Sequence, residues 1–260
     1  MPMILVVGPS MSGKSVSVCT FPKPMLYLDY DGNFASVTRT KNKEGKLVVP
    51  DWDQILRIPM TKTTSNALNF KTDLLSKSAP VFTNSSIPIY KRYNDIVEEL
   101  EKKQGVENDK GEITKFKTLV IDSLTQMFTI WREVVCSMNG VPVPRIPDYM
   151  TMGGQMVGAF IPTLNSFLTN GTLEFIILVD HTQIEKDEVT GMVDEFPIGP
   201  SKDMGRNLGK LMDDVLYQRI EGDKRVWKTK PVGFFKYAGS RHNIPDGTEA
   251  LYSAVEQYFK

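Results

Sequence analysis

The octapeptide Gly8-Pro9-Ser10-Met11-Ser12-Gly13-Lys14-Ser15 constrains this chain more than any other feature. It follows the apolar run Met3-Ile-Leu-Val-Val7 and leads into Val16 to Thr20, which opens a helix. An unbroken apolar run of that length predicts a strand covered on both faces. Strand, glycine-bounded loop and helix, in that order, make a cradle for phosphate. Gly8 and Gly13 let the chain fold tightly, so that successive backbone N–H groups of the loop face phosphate oxygens. Lys14 reaches the β and γ phosphates, and the Ser15 hydroxyl coordinates Mg²⁺. The implied cofactors are ATP and Mg²⁺, although such a loop reads phosphates and not the base.

A phosphate loop also needs a carboxylate to hold the water shell of the metal. Phe116-Lys-Thr-Leu-Val-Ile-Asp122 supplies one at the end of a buried strand, the ligand-binding edge of an open α/β sheet. Ser15 and Asp122 are therefore the candidate metal residues. Two further strands end in acids: Pro24 to Leu28 before Asp29-Tyr-Asp31-Gly32, and Glu174 to Val179 before Asp180-His181. Asp29, Asp31 and Asp180 are alternative groups for polarising an attacking water. His181 sits where a strand tip senses a γ-phosphate. No His/Cys/Asp grouping suggests a protein-held zinc, so Mg²⁺ is expected to arrive with the nucleotide.

Elsewhere the pattern alternates strands and helices. Gln54 to Ile58 reads as a short strand, Ala67 to Leu75 as helical, and Ile89 to Lys102 as an amphipathic helix. Leu124 to Met138 predicts a helix closed by Asn139-Gly140, followed by a proline-rich loop, Val141 to Pro147. Met152 to Leu168 predicts another helix, with a kink at Pro162. Glu185 to Gly205 reads as a mobile loop or irregular hairpin. Val215 to Arg219 and Arg225 to Lys230 read as adjacent strands, extended by Phe234 to Tyr237, and Glu249 to Phe259 as a closing helix. No repeat or composition shift marks a second domain, so residues 1–260 are expected to form one, with a β-rich segment over about 213–241.

Lysine plus arginine equals aspartate plus glutamate at 31 each, which excludes a binder relying only on a large basic surface. A local basic groove is still allowed. Two cysteines, Cys19 and Cys136, are too few for a disulfide framework and suit a reducing cytosol. The apolar start is too short to span a membrane, and no membrane partner is expected.

Together, Gly8 to Ser15, Leu28-Asp-Tyr-Asp31-Gly32, Leu119-Val-Ile-Asp122-Ser123-Leu124-Thr125, Leu178-Val-Asp180-His181 and Phe234-Phe-Lys236 to Ser240-Arg241 resemble the RecA-like branch of P-loop ATPases. More closely, the chain resembles the small single-domain phage members of that branch, which assist single-strand annealing and recombination. The resemblance implies an α/β RecA-like P-loop NTPase core, a mostly parallel sheet flanked by helices, with a C-terminal antiparallel β-rich extension. It implies ATP hydrolysis, with Asp31 activating water and His181 coupling the γ-phosphate to a DNA-facing loop, Gln183 to Gly205. That loop carries Glu185, Asp187, Glu188, Asp194, Glu195 and Asp203, which oppose simple phosphate contact.

Relatives of this kind form rings or filaments and complete the site from a neighbour. Lys228, Lys230, Lys236 and above all Arg241 are the candidates for that charge, so Arg241 joins Lys14, Asp31, Asp122 and His181 as a catalytic candidate. The implied partners are single-stranded DNA, further copies of the chain and a phage single-strand-binding or annealing protein, in the host bacterial cytosol. Arg39, Lys41, Lys43 and Lys46 are candidates for DNA contact. Alternative readings are a helicase loader or hexameric motor, a nucleotide kinase, and a nucleotide-gated DNA-binding protein with negligible turnover. Residues 61 to 89 hold no arginine, against the acceptor and lid region of a kinase.

Overall fold

The computed structural model describes residues 1–61, 86–107, 111–186, 188, 191, 193–231, 233 and 236–259. The strands are β1 (Met3–Gly8), β2 (Met25–Asp29), β3 (Ile55–Pro59), β4 (Val106–Glu107), β5 (Ile113–Thr114) and β6 (Thr118–Asp122). They continue with β7 (Phe175–Lys186), β8 (Val193–Pro197), β9 (Asp214–Glu221), β10 (Lys224–Lys228), β11 (Gly239–Ser240) and β12 (Thr248–Glu249). The α-helices are α1 (Lys14–Val18), α2 (Ala35–Arg39), α3 (Ser86–Lys103), α4 (Leu124–Met138), α5 (Ile146–Gln155), α6 (Ile161–Thr169) and α7 (Lys202–Leu208).

One sheet runs in the order β12-β10-β9-β1-β7-β6-β2-β3. From β9 to β3 neighbouring strands are parallel, and β10 and β12 add on antiparallel. The late antiparallel strands are thus the edge of the main sheet rather than a separate extension. Burial on both faces explains the apolar runs: every residue of β1, β2 and β6 is buried. Alternate residues feed two cores. Leu5, Val7, Ile121 and Leu178 face α3, α4 and α6, while Ile4, Val6, Val120 and Val179 face α1 and the chain's end.

α3 buries Ile89, Tyr93, Ile96 and Leu100, the face its spacing predicts. The helical run through Pro162 is not broken. A π-turn, Met156–Phe160, joins α5 to α6 directly before Pro162, and that wider turn accommodates the proline ring and its missing N–H. The proline-rich loop is shorter than predicted, because Pro147 likewise enters the first turn of α5.

The predicted closing helix over 249–259 is a correction. Glu249 belongs to β12, and two 3₁₀ turns follow, Tyr252–Ala254 and Glu256–Tyr258. Tertiary contacts override the helical period. Tyr252 N–H donates to Thr20 Oγ1 at 2.8 Å, and Tyr252 and Phe259 pack on Phe21 and Phe175. The helix predicted at Ala67 to Leu75, and Phe234 and Phe235 of the predicted strand, lie outside the described residues. Among the described residues no helix is long and apolar enough to cross a membrane.

Candidate functional site

The parallel register brings the strand tips together. Val7 is level with Asp180, Gly8 with His181, Asp122 with Val179, and Asp29 with Asp122. β7 lies between β1 and β6, so Asp180-His181 stands between the loop Gly8 to Ser15 and Asp122. β9 and β10 hold the loop against the sheet. A Cβ on Gly8 would come within 2.7 Å of the Gln218 carbonyl oxygen, and Gln218 Nε2 donates to the Ser12 carbonyl at 2.8 Å. Gly13 takes φ +88°, where other residues are strained, and a Cβ there would overlap the Arg225 side chain. Gln218, fully buried, also accepts from Trp227 Nε1 at 3.3 Å. Sequence reasoning missed this support; a glutamine within an apolar strand was its one visible trace.

Lys14 is buried and its ammonium donates to the Gly8 and Pro9 carbonyls, each at 2.9 Å. Burial lowers its pKa. Asp122, Asp180 and Asp31 oppose that shift, and Arg219 adds to it. Ser15 Oγ donates to Asp122 Oδ2 at 2.6 Å, and the Tyr27 hydroxyl donates to the same oxygen. Burial raises the Asp122 pKa against these two hydrogen bonds. A hydroxyl and a buried carboxylate already in contact form an all-oxygen pair that suits a hard divalent cation. Among the described residues, two buried polar atoms beside the site lack hydrogen-bond partners, Ser12 Oγ and Asp180 Oδ2. Unsatisfied polar groups in the loop and midway along β7, level with the end of β1, fit a site completed by phosphate, metal and water.

The two aspartates at the end of β2, Asp29 within it and Asp31 just beyond, separate by their partners. Asp29 is structural: Arg57 donates twice to its Oδ2, at 2.8 and 2.7 Å, and Gly32 N–H donates to its Oδ1 at 2.8 Å. Asp31 faces the site. Its N–H donates to the Asp122 carbonyl at 3.3 Å, and Ser123 Oγ donates to its Oδ1 at 2.8 Å. Ser123 is also the N-cap of α4, accepting from Gln126 N–H. The second Asp31 oxygen lies 3.2 Å from His181 Nε2. Burial pushes the Asp31 pKa up, but His181, Ser123 and Lys14 outweigh it and hold the carboxyl below its ordinary value. His181 Nδ1 lies 3.5 Å from both Lys14 Nζ and Ser10 Oγ. With its proton on Nε2 the ring bridges the loop and Asp31.

Asp180 is buried behind the ring, with Oδ1 accepting from Thr125 Oγ1 at 2.5 Å and from His181 N–H at 2.9 Å. Burial raises its pKa from 3.8 to about 8, which removes it as an ionised base at neutral pH. Between those values the folded protein holds a proton that the unfolded chain has lost, so stability falls as pH rises through this window. Asp180→Asn is expected to flatten the fall in urea midpoint between pH 5 and 8, a change on the order of 4 kcal/mol across the window. Parallel wild-type and variant pH profiles would contradict the assignment.

Arg241 is not brought to this cluster. Its N–H donates to the Asp213 carbonyl, level with Met3, about 16 Å along the strands from Gly8. Its guanidinium pairs with Asp213 at 3.0 Å and lines a cleft of about 380 Å³ with Arg206, Met212 and Tyr237. Lys228 pairs with Glu221 at 2.6 Å, and Lys236 with Asp194. Lys43 pairs with Asp223 in a turn closed by a Lys41–Leu47 bridge.

A family model described as an AAA domain matches residues 1–241 of the chain. Among solved structures, the crystal structure of a RadB recombinase is similar at 13% identity and a TM-score of 0.42, over 95% of this chain and 84% of that one. No curated protein matches the sequence. The match to the family model spans the phosphate loop and every acid gathered around it, and the chain belongs to the AAA domain family as an ATP-binding P-loop NTPase.

Proposed function

We propose that this protein is a Mg²⁺-dependent ATPase of the RecA-like branch that binds single-stranded DNA, assembles with itself as a ring or filament, and assists phage recombination or strand annealing. The observation that carries the reading is the position of His181. Its ring bridges Asp31 and Lys14, and its strand runs on beyond the sheet edge as the β7–β8 hairpin, Thr182–Lys186 against Val193–Pro197. A change at the γ-phosphate therefore acts on the strand that carries the hairpin.

Lys14 neutralises developing charge on the transferred phosphoryl group, and Ser15 and Asp122 hold the cation that arrives with the nucleotide. That Mg²⁺, when bound, stabilises charge on the phosphate oxygens. Asp31, ionised and held by Ser123 and His181, orients and polarises the attacking water. Its low pKa makes it better at positioning than at taking a proton outright.

The acidity of the hairpin region is largely answered within the protein. Glu185 pairs with Lys202 and Arg206, Asp194 with Lys236, and Glu195 with Arg219. These pairs reduce the repulsion that the bare sequence sets against a nucleic-acid backbone. Arg241, at the opposite end of the strands from the loop, reaches a nucleotide only in a neighbouring copy, which fits an assembled form.

The test is Mg²⁺-dependent phosphate release with and without single-stranded DNA. Stimulation of about tenfold or more, at the modest end of known activator effects, is expected. Turnover indifferent to DNA would sink the coupling and move the reading to a helicase loader or partner-activated motor.

A further inference from the structure

We propose that Arg225 is a nucleotide-binding residue, a cation placed by β10 at the phosphate loop of its own subunit to contact the polyphosphate. The inference rests on the ATP-binding role of that loop and adds a residue outside the loop itself. Arg225 stands opposite Ile220 in the β9–β10 ladder, two positions from Trp227, which bonds the Gln218 that clamps Ser12. The strand is thus held in place against the loop by buried contacts. From it the Arg225 side chain runs across Gly13, with Nε and Cδ filling the space a Cβ would need.

Among the described residues three cations approach the loop, and they differ in what they already hold. Lys14 is satisfied by loop carbonyls, and Arg219 is tied to Glu195, to the Gln218 carbonyl and against the Tyr217 ring. Arg225 is exposed and enters no ion pair among the described residues. A guanidinium with five donors, no carboxylate partner and a seat against a phosphate-binding glycine is matched to an anionic oxygen pair.

The experiment is calorimetric titration of MgATP, MgADP and adenosine into wild type, Arg225→Ala, Arg225→Lys and Lys14→Ala. Arg225→Ala is expected to bind both MgATP and MgADP about tenfold more weakly, with adenosine unchanged, and Arg225→Lys to fall between. In turnover the alanine variant should raise KM by a similar factor and leave kcat unchanged, as for a contact made equally in ground and transition states. Melting of the nucleotide-free proteins checks that the exposed side chain is no structural strut. Wild-type affinity for ATP and ADP in Arg225→Ala overturns the proposal. So does a weakening matched by an equal loss of stability in the nucleotide-free variant that lysine does not restore. Failure of wild type itself to bind MgATP would overturn the loop reading as well, whereas binding lost in Lys14→Ala and kept in Arg225→Ala overturns this inference alone.

Discussion

Lys14→Ala is expected to lower ATP turnover by about 10²–10³-fold, the usual loss when one preorganised charge is removed from a transition state. Lys14 is the cation whose ammonium already lies inside the loop, on the Gly8 and Pro9 carbonyls, with Asp122, Asp180 and Asp31 around it. Among the described residues no carboxylate is hydrogen-bonded to it, so removal breaks no ion pair and leaves only the two loop carbonyls without that donor. The fold is expected to survive, with the unliganded melting temperature changed by only a few degrees, corresponding to about 1 kcal/mol or less. Phosphate release and a thermal melt on the same preparation check both halves. Turnover within a factor of about three of wild type would remove the loop from the chemistry, since far larger losses follow from deleting such a group.

Asp31→Asn carries the second large effect. It keeps the shape and an acceptor for Ser123 but loses the charge facing His181. Hydrolysis is expected to fall by about 10²–10⁴-fold, the range for a positioned acid–base group. MgATP affinity should be nearly unchanged, because Asp31 flanks the loop rather than forming it. The paired control is Asp29→Asn. Asp29 holds Arg57 and the Gly32 N–H from a fully buried position, so its loss is expected to cost about 1–3 kcal/mol of stability and little chemistry per folded molecule. Normal turnover in Asp31→Asn, with the loss appearing in Asp29→Asn instead, would reverse the assignment of the pair.

These two aspartates show where reading the chain stops. Both follow the same apolar strand, and no pattern of residues separates them. The separation comes from Arg57 on the adjacent strand β3 and from Ser123 and His181 on chain segments far away. Asp180 shows the same limit. As a strand-end acid it is equal in sequence to Asp122, yet burial without a partner for Oδ2 makes it a proton holder, while Ser15 and Tyr27 claim Asp122.

What the amino-acid order alone settles here is local. A run of apolar residues long enough to be covered on both faces makes β1, β2, β6 and the first half of β7, and glycines at 8 and 13 make the loop, because strand period and backbone freedom are properties of a few neighbouring residues. The amphipathic period of α3 is equally local. Only tertiary structure decides the rest. The closing segment has a helical spacing of apolar residues, but a hydrogen bond from Tyr252 to Thr20 and packing on Phe21 and Phe175 turn it into 3₁₀ turns. Likewise Gln218 and Arg225 reach the loop from more than 200 residues away because β9 pairs with β1. Such contacts depend on which strands become neighbours, a choice made by the whole sheet and invisible to any short stretch of sequence.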